Sequence, residues 1–185
     1  IVAKGNAKDA LSSKEYEKAV ELYKAAIADF PGDASIGETA GKLFYNEGIS
    51  SYKGKDFLQA AKCFTIAEKE FNNEKAGKYK TASLKKVAES MVAEGTTSVD
   101  EVNVCDENKE LLLVNLAKVY VSEGNDLYKK GAAILTAANE KVNSGSLSTE
   151  DAAYNAEVEK AKVEFTAAIE VLEKALKADS GNANA

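Results

Sequence analysis

Three small–large–small triplets constrain this chain more than any other feature. Ala19, Tyr23 and Ala26, then Ala60, Phe64 and Ala67, then Ala168, Leu172 and Ala175 each step by four residues and then three. Those steps return to one face of an α-helix, whereas strand side chains alternate with a period of two. On such a face the alanines let a neighbouring helix come close, and the large residue between them fills the remaining space. Alanine, leucine, glutamate and lysine dominate the rest, with a single proline, so an all-α protein is expected.

The absences narrow the chemistry. The 185 residues contain no His and no Trp, and all 24 basic residues are lysines. Imidazole-based triads and His-bearing zinc sites are therefore excluded. Without arginine there is no bidentate fork for phosphate, carboxylate or guanine. A net charge of −6 also repels nucleic acid and anionic lipid, so neither is expected as a partner. No stretch approaches the roughly 20 apolar residues of a membrane span. Cys63 and Cys105 read as a buried helical thiol and an inert loop thiol, although an oxidising compartment would allow them to pair. The chain opens at Ile1 inside a helical pattern, as after removal of a signal peptide or after trimming. With the arginine-free composition, this points to an exported bacterial protein over a cytoplasmic one.

Along the chain, a first hairpin runs to about Phe30, with its turn at Ser12-Ser13 and a stop at Pro31-Gly32. Ser35 and Glu38 have the spacing of a capping box for a helix reaching about Lys53. Asp56 is the expected N-cap of the partner helix, which ends near Asn72-Asn73. An extra amphipathic helix follows from about Glu74 to Ala93, presenting Leu84, Val87, Ala88 and Met91 on one face. Its five lysines between Lys75 and Lys86 read as a solvated face. A polar connection leads to Cys105. Asp106 then opens a helix to about Val142, with Leu113, Ala117, Tyr120, Gly124, Leu127, Gly131, Ile134 and Ala138 on one seam. After a turn at about Gly145 and a capping-box-like Ser148–Asp151, the return helix carries Tyr154, Val158, Ala161, Phe165, Ala168, Leu172 and Ala175 at the same spacing. This fold-back is expected to bring Gly124 near Ala168 and Gly131 near Ala161.

Gly48, Ala60, Phe64 and Ala67, with Phe44 four residues before the glycine, complete a recognisable pattern. Gly5, Ala19, Tyr23, Ala26 and Pro31 repeat it with two extra residues in the turn. In these positions the chain resembles the tetratricopeptide repeat (TPR) family, in which a helix-one glycine precedes a helix-two alanine by twelve residues. The closing proline is kept at Pro31 and replaced by Asn72 and Ser180 in the later copies. Glu47 and Ser51 stand where the family has apolar packing residues. The resemblance implies a single domain over 1–185: repeat one at about 1–34, repeat two at about 35–73, an inserted helix and linker at 74–105, and repeat three at about 106–180. Gly124 and Ala168 lie 44 residues apart, so the third hairpin carries 16 extra residues per arm and projects roughly 24 Å further. The fold expected is a TPR-like right-handed solenoid with a long antiparallel helical arm.

No catalytic, cofactor or metal site emerges. Acids such as Glu157 follow ordinary helix-surface spacing, Ser144, Ser146 and Ser148 lack a base, Gly124-Asn-Asp lies mid-helix, and Asp100–Asp106 lacks the glycine and glutamate of a calcium loop. Carried over by position, the resemblance places a concave groove for peptides or helices at Asn6, Asp9, Tyr45, Asn46, Ile49, Tyr52, Lys118, Asn125 and Tyr128. Tyr45, Ile49 and Tyr52 are equally readable as core. Asn6, Asn46 and Lys118 fill three of five places of the carboxylate clamp some family members have, while Val2 and Ser122 break it. The function expected is a non-catalytic protein-interaction scaffold. The alternative is a ligand- or glycan-capturing accessory module of a bacterial envelope assembly. Self-association through the arm is the further possibility, motivated by Leu112, Val114, Val119 and Val121 lying off the seam.

Overall fold

The computed structural model describes residues 2–96 and 98–179, with side chains from residue 5 onward. Among them are seven α-helices and no strand: α1 Val2–Ser12, α2 Tyr16–Asp29, α3 Ser35–Lys53, α4 Phe57–Lys69, α5 Ala76–Glu94, α6 Asp106–Asn143 and α7 Ala152–Ala178. A single 3₁₀ turn, Val99–Glu101, interrupts the connection to α6. No helix of the described residues is long and apolar enough to cross a membrane. The chain falls into two compact units: residues to Ser90 with Ser98–Leu112, and Met91 and its following turn with Leu113 onward.

In the first unit the alanine faces do what their spacing demands. Ala19, Ala26, Ala60 and Ala67 are buried with Tyr23, Phe44 and Phe64, and each large side chain so covered contributes about 1.5–3 kcal/mol. Phe44 stacks on Phe71 at 5.5 Å, and Tyr23 meets Phe71 edge-on at 6.0 Å. Glu47 is half-buried and accepts a 3.2 Å hydrogen bond from the Tyr16 hydroxyl. A partner at this position removes most of the penalty of a carboxylate there.

The two hairpins α1–α2 and α3–α4 turn identically. Lys14 and Lys55 both adopt positive φ, 61° and 65°. Glu15 N–H donates to the Ala10 carbonyl as Asp56 N–H does to that of Ser51, each at 2.9 Å. The residue equivalent to Gly48 is therefore Ala7, not Gly5, and the first hairpin has no insertion. Ala7 is fully buried, whereas Gly5 is exposed and a Cβ there would meet nothing within 4 Å.

Helix starts correct two expectations. Ser35 lies inside α3, and it is the Asp33 carboxylate that accepts from its N–H (3.1 Å) and its hydroxyl (2.5 Å). Ala34 stands in the N-cap place, and the Glu38 N–H that a Ser35 cap would bind donates to the Ala34 carbonyl at 3.3 Å, so the Ser35–Glu38 box does not form. At α7 only the return half of a box exists: Asp151 accepts from Ser148 N–H at 2.7 Å, but the Ser148 hydroxyl accepts from Glu150, and the helix starts at Ala152. Asp56 caps α4 as expected, accepting from Gln59 N–H at 3.1 Å.

Leu84, Val87, Ala88 and Met91 of α5 are all buried. The lysine-rich face of α5 has one exception to its solvation. The Lys80 side chain is only 13% exposed and pairs with Glu68 of α4.

In the second unit α6 and α7 form the long antiparallel hairpin, and their seam positions are buried or half-buried along both helices. A Cβ on Gly124 would lie 2.7 Å from Leu172 and 3.4 Å from the Ala168 carbonyl oxygen. At Gly131 the nearest atoms belong to the Phe165 ring, at 2.8 Å. A glycine notch in a knobs-into-holes seam is filled by the largest neighbour available. Beyond Gly124, α6 runs on to Asn143, roughly 28 Å. The off-seam residues do not form an exposed strip: Leu112 is fully buried, and Val114, Val119 and Val121 are half-buried. Val2 (side chain) and Ser180 lie outside the described residues.

Candidate binding groove

The turn between α4 and α5 builds one wall of a concavity in the first unit. Asn72 takes a positive φ of 52°, which asparagine tolerates better than most residues. The next residue locks the turn. Asn73 donates through Nδ2 to the Gly41 carbonyl of α3 at 3.1 Å, while its Oδ1 accepts from Lys75 N–H at 3.2 Å. Close approach to α3 needs Gly41, where a Cβ would stand 3.2 Å from the Phe71 carbonyl oxygen. The result is a groove of about 610 Å³ lined by Glu38, Lys42, Tyr45, Asn46, Phe71, Asn72, Asn73, Glu74 and Lys75.

Its floor is aromatic and its rim carries amides and charges of both signs. Tyr45 packs edge-on against Phe64 and Tyr79, 5.6 Å from each ring. Burial, together with the Tyr79 hydroxyl, raises the Tyr45 pKa. Asn46, Asn72, Glu38, Lys42, Glu74 and Lys75 are exposed. Lys42 stands 3.9 Å from Glu38, a distance at which solvent screens most of the attraction.

Of the nine positions expected to line a groove, Tyr45 and Asn46 line this one. Ile49 and Tyr52 are half-buried against the hydrophobic core, with Tyr52 edge-on to Phe57 at 5.2 Å. Asn6 and Asp9 are exposed on α1, and Lys118, Asn125 and Tyr128 are exposed on α6 in the second unit. Sequence reasoning missed the other seven lining residues, Glu38, Lys42, Phe71, Asn72, Asn73, Glu74 and Lys75. The Asn-Asn pair closing α4 was the available signal, since asparagine is a turn residue with amide donors and acceptors.

The buried titratable groups are tuned against reaction. Cys63 is fully buried, and burial pushes its thiol up to about 11. Burial of Tyr16, with Glu47 and Cys63 beside it, raises its hydroxyl well above the usual tyrosine range. A nucleophilic thiol needs its thiolate stabilised, and this environment does the reverse. Cys105 is half-buried and also raised, by burial and then by Glu107, while its sulfur accepts from Asn108 Nδ2 at 3.0 Å. Asn108 donates as well to Thr65 Oγ1 at 2.7 Å, tying the start of α6 to α4. Both cysteines are free thiols. Among the described residues no cluster of three or more His, Cys, Asp or Glu side chains could hold a metal ion.

No family model matches the chain, nor does any curated protein or solved structure.

Proposed function

We propose that the protein is a non-catalytic interaction scaffold that holds a peptide segment of another protein in the α3–α5 groove. The observation that carries this reading is the groove itself: an aromatic floor at Tyr45 and Phe71 beneath a rim of Asn46, Asn72, Lys42 and Glu74. Tyrosine and phenylalanine supply contact area at low entropic cost. Asparagine amides donate to and accept from a peptide backbone, and lysine and glutamate side by side favour a segment carrying both charges. The resemblance to TPR hairpins, carried by Gly48, Ala60, Phe64 and Ala67 and by the two like turns, points the same way. In this reading the fold is a short helical-hairpin solenoid.

A random-peptide library displayed on phage tests it. Selection against the protein should enrich a consensus that binds at least about tenfold more weakly to a Lys42→Ala, Asn46→Ala double variant. Equal binding to that variant, or no enrichment, would refute the assignment to this groove.

A second reading has its own support, because three asparagines and two aromatic side chains in one groove also suit hydroxyl-rich ligands such as glycans. An oligosaccharide panel separates the two. Saturable sugar binding abolished by Asn46→Ala, without peptide enrichment, would favour ligand capture.

A further inference from the structure

The α6–α7 hairpin repeats the geometry of α3–α4, and one of its faces is left uncovered. Gly48 receives Phe64 and Gly124 receives Leu172, so the two hairpins align with Ala60 matching Ala168. On α3–α4 one face is covered by α5: Tyr45 meets Tyr79, and Glu68 holds Lys80 and lies against Gly77. The positions matching Tyr45, Tyr52, Ala61 and Glu68 on the long hairpin are Val121, Tyr128, Ile169 and Leu176. There Tyr128 is 57% exposed, Ile169 59% and Leu176 43%. Tyr128 reaches across the seam to Phe165, with ring centroids 5.4 Å apart, so the two helices contribute to one continuous apolar face.

The substitutions within this equivalence say what the face accepts. Ala61 is small and fully buried, but its counterpart Ile169 is bulky. Glu68 pairs with a lysine of α5, but its counterpart Leu176 is apolar. A face of this kind suits broad apposition to another bulky apolar face, not the close seating of one helix. Its outer edges differ in sign. On α6 lie exposed Lys118 and Lys129, the latter 3.6 Å from Asp126 of its own helix. On α7 lie exposed Glu170 and Glu173, with Lys177 on the same edge one turn further and Lys162, paired with Glu159, one heptad before Ile169. A two-fold rotation about an axis along the arm sets α6 of one copy against α7 of the other. That brings each lysine edge to a glutamate edge.

We infer that this face is where a second copy of the chain docks, joining two arms into a four-helix bundle through Tyr128, Ile169 and Leu176. Two helices each about 10 Å across over roughly 30 Å of arm give a footprint of about 600 Å² per chain. That is slightly below the ~800 Å² per partner of a standard stable interface.

Sedimentation equilibrium of the intact chain, followed across micromolar concentrations, tests the inference. The wild type should populate a dimer. Ile169→Lys should weaken it at least about tenfold while leaving helical circular dichroism unchanged. Lys160→Glu, at an exposed residue nine positions from Ile169 and so on the opposite side of α7, should leave it intact. Lys118→Glu with Lys129→Glu, and Glu170→Lys with Glu173→Lys, should each impair self-association, and mixing the two variants should restore a heterodimer. A monomer at every concentration, a dimer indifferent to Ile169→Lys, or charge variants that do not complement one another would overturn it. Monomeric chains that instead take up a lone amphipathic peptide at Ile169 would give the face a different occupant and overturn it equally.

Discussion

Replacing Gly48 by alanine sets two effects of similar size against each other, and the structure decides between them. Alanine in a helix interior is favoured over glycine by about 1 kcal/mol. Against that, the new Cβ would stand 2.7, 2.8 and 2.9 Å from three atoms of the Phe64 ring. Phe64 has nowhere to go: it is fully buried, with Tyr45 and Tyr79 each 5.6 Å from its centroid. Overpacking of such a site costs about 1–3 kcal/mol, and a clamped ring belongs in the upper part of that range. The expected net loss is about 1–2 kcal/mol, a drop in Tm of roughly 2–8 °C for a chain of this size. Gly5→Ala has the same helical gain and no clash, so it should stabilise by about 0.5–1 kcal/mol. Urea unfolding of both variants measures these values. The cause is isolated by repeating Gly48→Ala in a Phe64→Leu background, where the smaller side chain frees the notch and the substitution should become neutral or favourable. An equal loss in both backgrounds would refute the steric argument.

Three other outcomes follow from the packing and the electrostatics. Asp33→Ala removes the acceptor for two donors of Ser35 and should cost about 1 kcal/mol in urea unfolding, whereas Glu38→Ala should cost almost nothing. Because the thiol of buried Cys63 is pushed up to about 11, thiol-labelling mass spectrometry at pH 8 should find Cys105 modified well before Cys63. The Tyr16 hydroxyl is raised in the folded state, so its contribution to stability is whole below the ordinary tyrosine value of 10.0 and is lost as pH climbs above it. Tyr16→Phe should therefore flatten the fall of Tm between about pH 10 and 11, and an unchanged alkaline slope would contradict this.

Most of the helical organisation was legible because it is written locally. The four-then-three spacing of Ala60, Phe64 and Ala67 marks a buried face whatever lies elsewhere, and the unbroken seam from Leu113 to Ala138 marks one long helix. The first hairpin was misaligned because glycine stands out in a sequence and alanine does not. Gly5 drew attention, yet Ala7 is the small residue at the helix contact. The Ser35 cap was misplaced because α3 already begins at Ser35, with Ala34 taking the Glu38 N–H, and spacing alone does not fix the residue at which a first turn starts. The groove was legible only at Tyr45 and Asn46. Its other wall depends on Asn73 reaching 32 residues back to the Gly41 carbonyl, a tertiary contact with no local signature. The exposed face of the arm was missed for a similar reason. The apolar residues off the α6 seam looked free, while those left exposed are mainly on α7, and only burial separates the two sets.

The most direct test of the interaction reading is an amide NMR titration of the protein with a peptide enriched by selection. The account predicts saturable shifts confined to Glu38, Lys42, Tyr45, Asn46 and the Asn72–Lys75 turn. Shifts confined instead to α6 and α7, or none at saturating peptide, would contradict the assignment of the α3–α5 groove as the binding surface.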